Sequence, residues 1–172
     1  MVKKIVVIFG GNGSLGKKLS NKFYESNCCV ISVDKNNKSF EKIKQNFYTA
    51  KADVTNQKSL KNLRSKVIKN FGKVDIIVYS VTYKSKDFYY SFNKLSLSSW
   101  RKIIDIELTG AFLVSQIFGN IFEKQNKGNI IFLSSIYGIV GNDHSIYKGS
   151  NLAQIYSNKN QKKNIYSNSA YS

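Results

Sequence analysis

Residues 3–16 read KKIVVIFGGNGSLG, an apolar run that breaks off into glycines and then takes on the pattern of a helix. Ile5, Val6, Val7, Ile8 and Phe9 show no polar alternation, as expected of a strand covered on both faces in a parallel sheet. Gly10, Gly11, Gly13 and Gly16 follow at once. In a G-x-x-G-x-x-G pattern the first glycine makes a sharp turn and the second lets a diphosphate come close. The third lets the helix pack on the strand. Asn12, Ser14 and Leu15 stand among these glycines as candidate cofactor contacts, and the helix that follows presents its free N–H groups and positive end to the space before it. The expected ligand is the pyrophosphate of a dinucleotide; a plain surface turn is the alternative.

The flanks favour the ligand. An amphipathic stretch follows with Leu15, Leu19 and Phe23, and a second apolar run, residues 28–33, ends in Asp34. This is about where a carboxylate would accept hydrogen bonds from adenosine ribose hydroxyls. Asp34 favours NAD, because a 2′-phosphate would meet its charge. Lys35 beside it leaves NADP open.

The chain of 172 residues carries a net charge of +17 and 42% hydrophobic residues, enough for one core. Such a charge ordinarily points to nucleic acid or an anionic membrane. Here the lysines are scattered among asparagines, with no arginine-rich block and no repeated aromatic and basic unit. We read them as solvated faces, with only a weak, salt-sensitive affinity for polyanions and no specific nucleic-acid or membrane partner. Cys28 and Cys29 are adjacent on an expected buried strand, where they face opposite ways as small hydrophobes. His144 is the one other soft ligand, so neither a metal site nor a disulfide framework is expected. No apolar run reaches membrane-spanning length and no signal peptide is recognisable, which makes a cytoplasmic location the expectation. Proline is absent from the chain, and we attach no function to that.

After Asp34 the pattern predicts a polar turn over residues 35–38 and a short helical stretch with Phe40 and Ile43. Residues 47–52 predict a third strand, ending in Asp53-Val54-Thr55. Asp53 suits either the adenine edge or the cap of the next helix. That helix carries Leu60, Leu63, Val67 and Phe71 and stops at Gly72. Residues 74–78 predict a fourth strand, opening into Tyr79-Ser80-Val81-Thr82 and an aromatic, lysine-rich loop over 83–93. Ser98 is the expected cap of a long helix over about 100–123, with Ile103, Ile104, Leu108, Phe112, Leu113, Ile117 and Phe118 inward. A fifth strand over 129–133 runs into Ser134-Ser135-Ile136-Tyr137-Gly138. Strand and helix alternation predicts an α/β, doubly wound parallel sheet of the Rossmann type, with about five strands and its ligand crevice at the strands' carboxyl ends.

In the order and spacing of these motifs the chain resembles the short-chain dehydrogenase/reductase family. The residues that carry the likeness are Gly10 to Gly16, Asp34, Asp53-Val54, the strand-four segment ending at Thr82, Glu107-Leu108-Thr109-Gly110, and Ser134-Ser135. The sequence SSIYG resembles a branch concerned with nucleotide sugars and surface polysaccharides. The resemblance implies an NAD(P)-dependent oxidoreductase acting on a small alcohol, ketone or sugar-like substrate, and a homo-oligomer for the longer parent. Backbone contacts to the cofactor are implied at Ser80 and Val81, where the family often has Asn-Asn-Ala-Gly. Glu107 stands where the family usually has a water-organising asparagine.

The family's catalytic set is a serine, a tyrosine and a lysine four residues after the tyrosine. The ammonium stabilises a phenolate whose ordinary pKa is about 10. Ser135 matches the serine. Tyr147 is followed at that offset by Asn151, Tyr156 by Asn160 and Tyr166 by Ala170. Tyr171, in Ser169-Ala170-Tyr171-Ser172, resembles the start of the catalytic helix. The expectation is therefore a dinucleotide-binding domain over 1–150, then a polar insertion over 151–172 leading to Tyr171 of a longer parent. The chain itself would then be incomplete or inactive. A degenerate homologue acting as a non-catalytic dinucleotide-binding module, and a nucleotide-sugar epimerase or dehydratase, are the alternatives.

Overall fold

A computed structural model describes residues 3–88 and 92–140. They belong to two compact units, one of residues up to 82 with 105–133, the other of residues 83–104 with those from 134 onward. The expected insertion over 151–172, together with His144, Tyr147, Tyr156, Tyr166 and Tyr171, lies outside the described residues.

The first unit is a six-stranded sheet in the order β3-β4-β2-β1-β5-β6. Its strands are β1 (Ile5–Phe9), β2 (Cys29–Asp34), β3 (Glu41–Lys44), β4 (Phe47–Lys51), β5 (Ile76–Tyr79) and β6 (Asn129–Phe132). All adjacent pairs are parallel except β3 with β4. The unbroken apolar run of β1 is explained by its place in the middle. Val7 and Phe9 face one core, with Leu60, Leu63 and Val67 of α2 (Gln57–Phe71) and Val114, Ile117, Phe118 and Ile121 of α4 (Gly110–Gln125). Val6 and Ile8 face the other, against Leu19 and Phe23 of α1 (Ser14–Glu25). Cys29 joins the first core and Cys28 the second, so the two thiols do face opposite ways. Burial pushes the Cys29 thiol above its ordinary pKa, which keeps it protonated and inert.

Several expectations need correction. The stretch with Phe40 and Ile43 is not helical: Glu41–Lys44 is an edge strand hairpinned to β4 through Gln45-Asn46, and Asn46 takes φ +60°. Phe40 packs in an aromatic cluster with Tyr48 and Phe71, ring centroids 5.9 and 6.3 Å away. The Lys44 ammonium sits 3.9 Å over the Tyr24 ring. These tertiary contacts outweigh the weak local helical pattern. Leu15, Leu108 and Phe112 do not face the core; they are exposed. Leu15 and Phe112 lie in the first turns of their helices and Leu108 in a widened turn, so the helical stripe fails at these positions.

The long helix expected over about 100–123 is three segments: α3 (Leu97–Ile104) in the second unit, then a π-helical segment, Asp105–Thr109, and α4 in the first. Ser96, not Ser98, caps α3, its hydroxyl accepting the Ser99 N–H at 3.2 Å. The Ser96 N–H in turn donates to Asp87 at 2.9 Å. Helix α2 ends as expected at Gly72, in the left-handed region at φ +73°.

Candidate functional site

The carboxyl ends of β1, β2, β4 and β5 carry the residues singled out by the sequence. Between β1 and its neighbours the connections diverge, β2 to one side and β5 to the other. This is the arrangement that opens a crevice in a doubly wound sheet.

Gly10 leaves β1 at φ +79°. A Cβ there would strike the Ser80 carbonyl, 2.8 Å from its carbon, and come within 3.0 Å of the Val81 nitrogen. The bend therefore lies directly on the strand end of β5. A side chain on Gly11 would collide with the Ser32 hydroxyl, and one on Gly16 with the Gly10 carbonyl. Ser32 is the single polar residue within the apolar run of β2, and that interruption was the available signal for this contact. The bend holds itself by Gly13 N–H to Gly10 O at 3.0 Å, while Gly11 N–H reaches Val33 O at 2.9 Å. Helix α1 then starts at Ser14 with Gly13 before it, no side chain capping it and no acid in its first turn. Its leading N–H groups and the positive end of its dipole are left for an external anion.

The Asn12 N–H donates to Asp34 Oδ2 at 3.2 Å, and the Asn36 N–H to Asp34 Oδ1 at 3.0 Å. The structure thus brings the glycine bend and the acid of β2 together. Asn37 was not anticipated. Its side chain donates to the carbonyls of Ser32 and Ala50, tying β2 to β4, and accepts from Asn12 Nδ2 at 2.9 Å. In an asparagine-rich turn nothing in its spacing distinguishes it.

Asp53 does not cap α2. Its Oδ1 accepts from the N–H and hydroxyl of Thr55 at 2.9 and 2.8 Å, and Asn56 is the cap, accepting the Ser59 N–H at 2.9 Å. Val54 packs against Gly110, where a Cβ would come within 2.9 Å of Val54 Cγ2 and strike the Tyr79 hydroxyl. Tyr79 is buried, and its O–H donates to the Ile106 carbonyl in the π-helical segment. Burial pushes its phenol well above the ordinary pKa, and the negative charges of Glu107, Asp105 and Asp53 add to the effect. Two residues on from Ser80, Thr82 donates its hydroxyl to Glu107 Oε1 at 2.8 Å. Glu107 therefore sits in a widened helical turn facing the exit of β5, a geometry that often marks a functional position.

Ser135 follows β6 and belongs to the second unit. Its carbonyl accepts the Gly138 N–H at 3.1 Å in the turn of residues Ile136–Gly138. Tyr171 lies outside the described residues.

A family model described as short chain dehydrogenase matches residues 4–159. An uncharacterised oxidoreductase of Staphylococcus epidermidis is 25% identical over 158 residues, which cover 90% of this chain and 67% of that protein. A short chain dehydrogenase from Leptospira borgpetersenii, solved with bound NAD+, matches with a TM-score of 0.72 at 25% identity over 90% of this chain and 59% of that one. ElxO, solved with NADP bound, matches with a TM-score of 0.75 at 23% identity over 84% of this chain and 60% of that one. The chain spans about three fifths of the length of these two structures. With the glycine bend seated on a doubly wound sheet and the family model covering nearly its whole length, the chain belongs to the short chain dehydrogenase family.

Proposed function

We propose that the protein of which these residues form at least a part is an NAD(P)-dependent oxidoreductase acting on a hydroxyl/carbonyl pair. The observation that carries the reading is the uncapped start of α1 behind Gly13, with Asp34 held beside it by the Asn12 N–H. A pyrophosphate suits the first, ribose hydroxyls the second. The Leptospira relative holds NAD+ and ElxO holds NADP, which supports the cofactor class. When bound, the nicotinamide exchanges a hydride with the carbon that bears the substrate oxygen.

The chain's own residues divide the remaining work. Gly10, Gly11, Asn12, Gly13, Ser14, Leu15 and Gly16 cradle the diphosphate; Asp34 takes the ribose and Asp53 with Val54 the adenine. Ser80 and Val81 lie under the cofactor, Ser135 holds the substrate oxygen, and Glu107 orders a water or passes a proton. Tyr171 is the general acid/base in a longer parent, with residues 151–172 as a polar insertion before the catalytic helix. The SSIYG segment favours a sugar-like substrate, and a homo-oligomer in the cytoplasm is the expected setting.

A second reading, a binding module without turnover, is favoured by the lack of a lysine four residues after Tyr147, Tyr156 or Tyr166. Fluorescence titration with NADH and NADPH, followed by a screen of alcohols and keto-sugars on the parent protein, separates the two. Uptake with turnover supports the oxidoreductase, uptake without turnover of any substrate supports the module, and no uptake ends both.

A further inference from the structure

Residues 35–74 hold ten lysines and one arginine against two acids, Glu41 and Asp53, so less than a quarter of the chain carries over half of its net charge of +17. The fold gathers much of this surplus onto one side of the first unit. Helix α2 turns its apolar side, with Leu60, Leu63 and Val67, to the sheet. Its outer side exposes Lys58, Lys61, Asn62, Lys66 and Lys69, and the helix contains no acid. From Lys58 to Lys69 this ridge runs about 16 Å. None of its four ammonium groups has a carboxylate partner among the described residues.

At the end of α2, Phe71 meets Phe40 and Tyr48 beside the β3 rim, its ring 5.0 Å from that of Tyr48 and edge-on to it. All three residues are half-buried, so the cluster stays within reach from outside. Lys42 stands opposite Tyr48 in the pairing of β3 with β4. Residues paired in this way project from the same face of a sheet, so the exposed Lys42 joins the rings on the α2 side.

Charge alone would suit any polyanion, but the rest of the surface narrows the choice. Helix α2 has no exposed apolar residue to enter a lipid surface, and stable attachment there takes an apolar face as well as charge. A row of ammonium groups ending at aromatic rings matches a phosphodiester chain with unpaired bases: the cations follow the phosphates and the rings take the faces of the bases. A duplex keeps its bases stacked on one another and offers the rings nothing.

We propose that the outer side of α2 and the adjoining cluster of Phe40, Tyr48 and Phe71 bind single-stranded nucleic acid without sequence preference. Its phosphates lie along Lys58, Lys61, Lys66 and Lys69, and its bases meet the rings beside Lys42. The surface shares no residue with the dinucleotide site proposed above, so the two ligands bind independently.

Fluorescence anisotropy of a labelled single-stranded RNA of about 15 nucleotides, titrated with the full chain, tests this. The Lys58→Gln/Lys61→Gln/Lys69→Gln variant is expected to bind at least about tenfold more weakly, and its plot of log affinity against log salt to be shallower by about two. A Lys17→Gln/Lys18→Gln/Lys22→Gln variant loses the same number of exposed lysines from α1, on the other face of the sheet, and should stay within about twofold of the unmodified chain. Duplex RNA of the same length should bind at least about fivefold more weakly than the single strand, and saturating NADH or NADPH should leave the strand in place. Equal losses in the two variants would mean attraction by overall charge only and overturn the proposal. Duplex binding as tight as that of the strand, or no binding, would do the same. Uptake by anionic phospholipid vesicles that the α2 variant abolishes, with RNA binding untouched, would make the surface a membrane contact instead. Displacement of the strand by NADPH would put it in the dinucleotide site, overturning the separate surface while leaving the dinucleotide reading intact.

Discussion

Gly16 shows how little room the bend leaves for chemistry other than its own. A methyl group there would run into the Gly10 carbonyl, so Gly16→Ala is expected to cost about 1–3 kcal/mol in urea unfolding and to abolish dinucleotide uptake in the same protein. Asp75 makes a prediction of another kind. It accepts the Ile5 N–H at 2.7 Å and pairs with Lys73 at 2.8 Å. Burial opposes its charge, but the Lys73 and Ile5 hydrogen bonds and the charges of Lys73 and Lys127 prevail and hold the carboxyl below its usual range. A native pKa below the unfolded value of about 3.9 means that the stabilisation is present above that pH and is lost as pH falls through the native value. Asp75→Asn should cost about 1–3 kcal/mol at neutral pH and flatten the acid side of a stability profile taken by urea melts. At this scale the adjacency of the glycine bend and Asp34 was legible, because the strand before the glycines and the apolar run that ends in Asp34 fix where both must lie. Asn37 and Thr82 were illegible: their roles depend on which strand ends lie side by side, and short polar residues in turns look alike until that is known.

Helices followed the sequence where a single face is buried, and strands β1 and β2 where both faces are. Leu60, Leu63 and Val67 recur at helical spacing and all three are buried in α2. The failures came where distant contacts decide. Glu41–Lys44 is almost wholly charged, and only the Phe40, Tyr48 and Phe71 cluster and the turn at Asn46 make it a strand. The π-helical break at Asp105–Thr109 likewise answers to Tyr79 from another element. Within α4, Gly119 has no atom within 4 Å of where a Cβ would stand. Gly119→Ala should therefore stabilise by about 0.5–1 kcal/mol, read as a rise in thermal midpoint, since alanine has less backbone entropy to lose. A fall instead would show that the helix needs that gap.

For the molecule as a whole, the sheet's two rims are unlike. The β3 rim is strongly charged, a common guard against unwanted strand pairing. The β6 rim is apolar, with Ile131 36% and Phe132 50% exposed, and among the described residues β6 pairs with β5 alone. The 172-residue chain is accordingly expected to self-associate as its concentration rises, seen as a growing mass in size-exclusion chromatography with light scattering. Phe132→Lys should suppress that association. A single monomeric mass across the concentration range would show that the rim is already covered. No helix among the described residues is long and apolar enough to cross a membrane.

The Tyr79 phenol also provides an optical reporter. Its native pKa lies above the unfolded value of about 10, so the stabilisation it lends is complete below that pH and drains away as alkali approaches the native value. Tyr79 is therefore placed to ionise late in an ultraviolet titration. Its late absorbance step would coincide with release of the Ile106 carbonyl. Following that step with and without added nucleotide would time the loosening of the helical turn that bears Glu107, without any need for turnover.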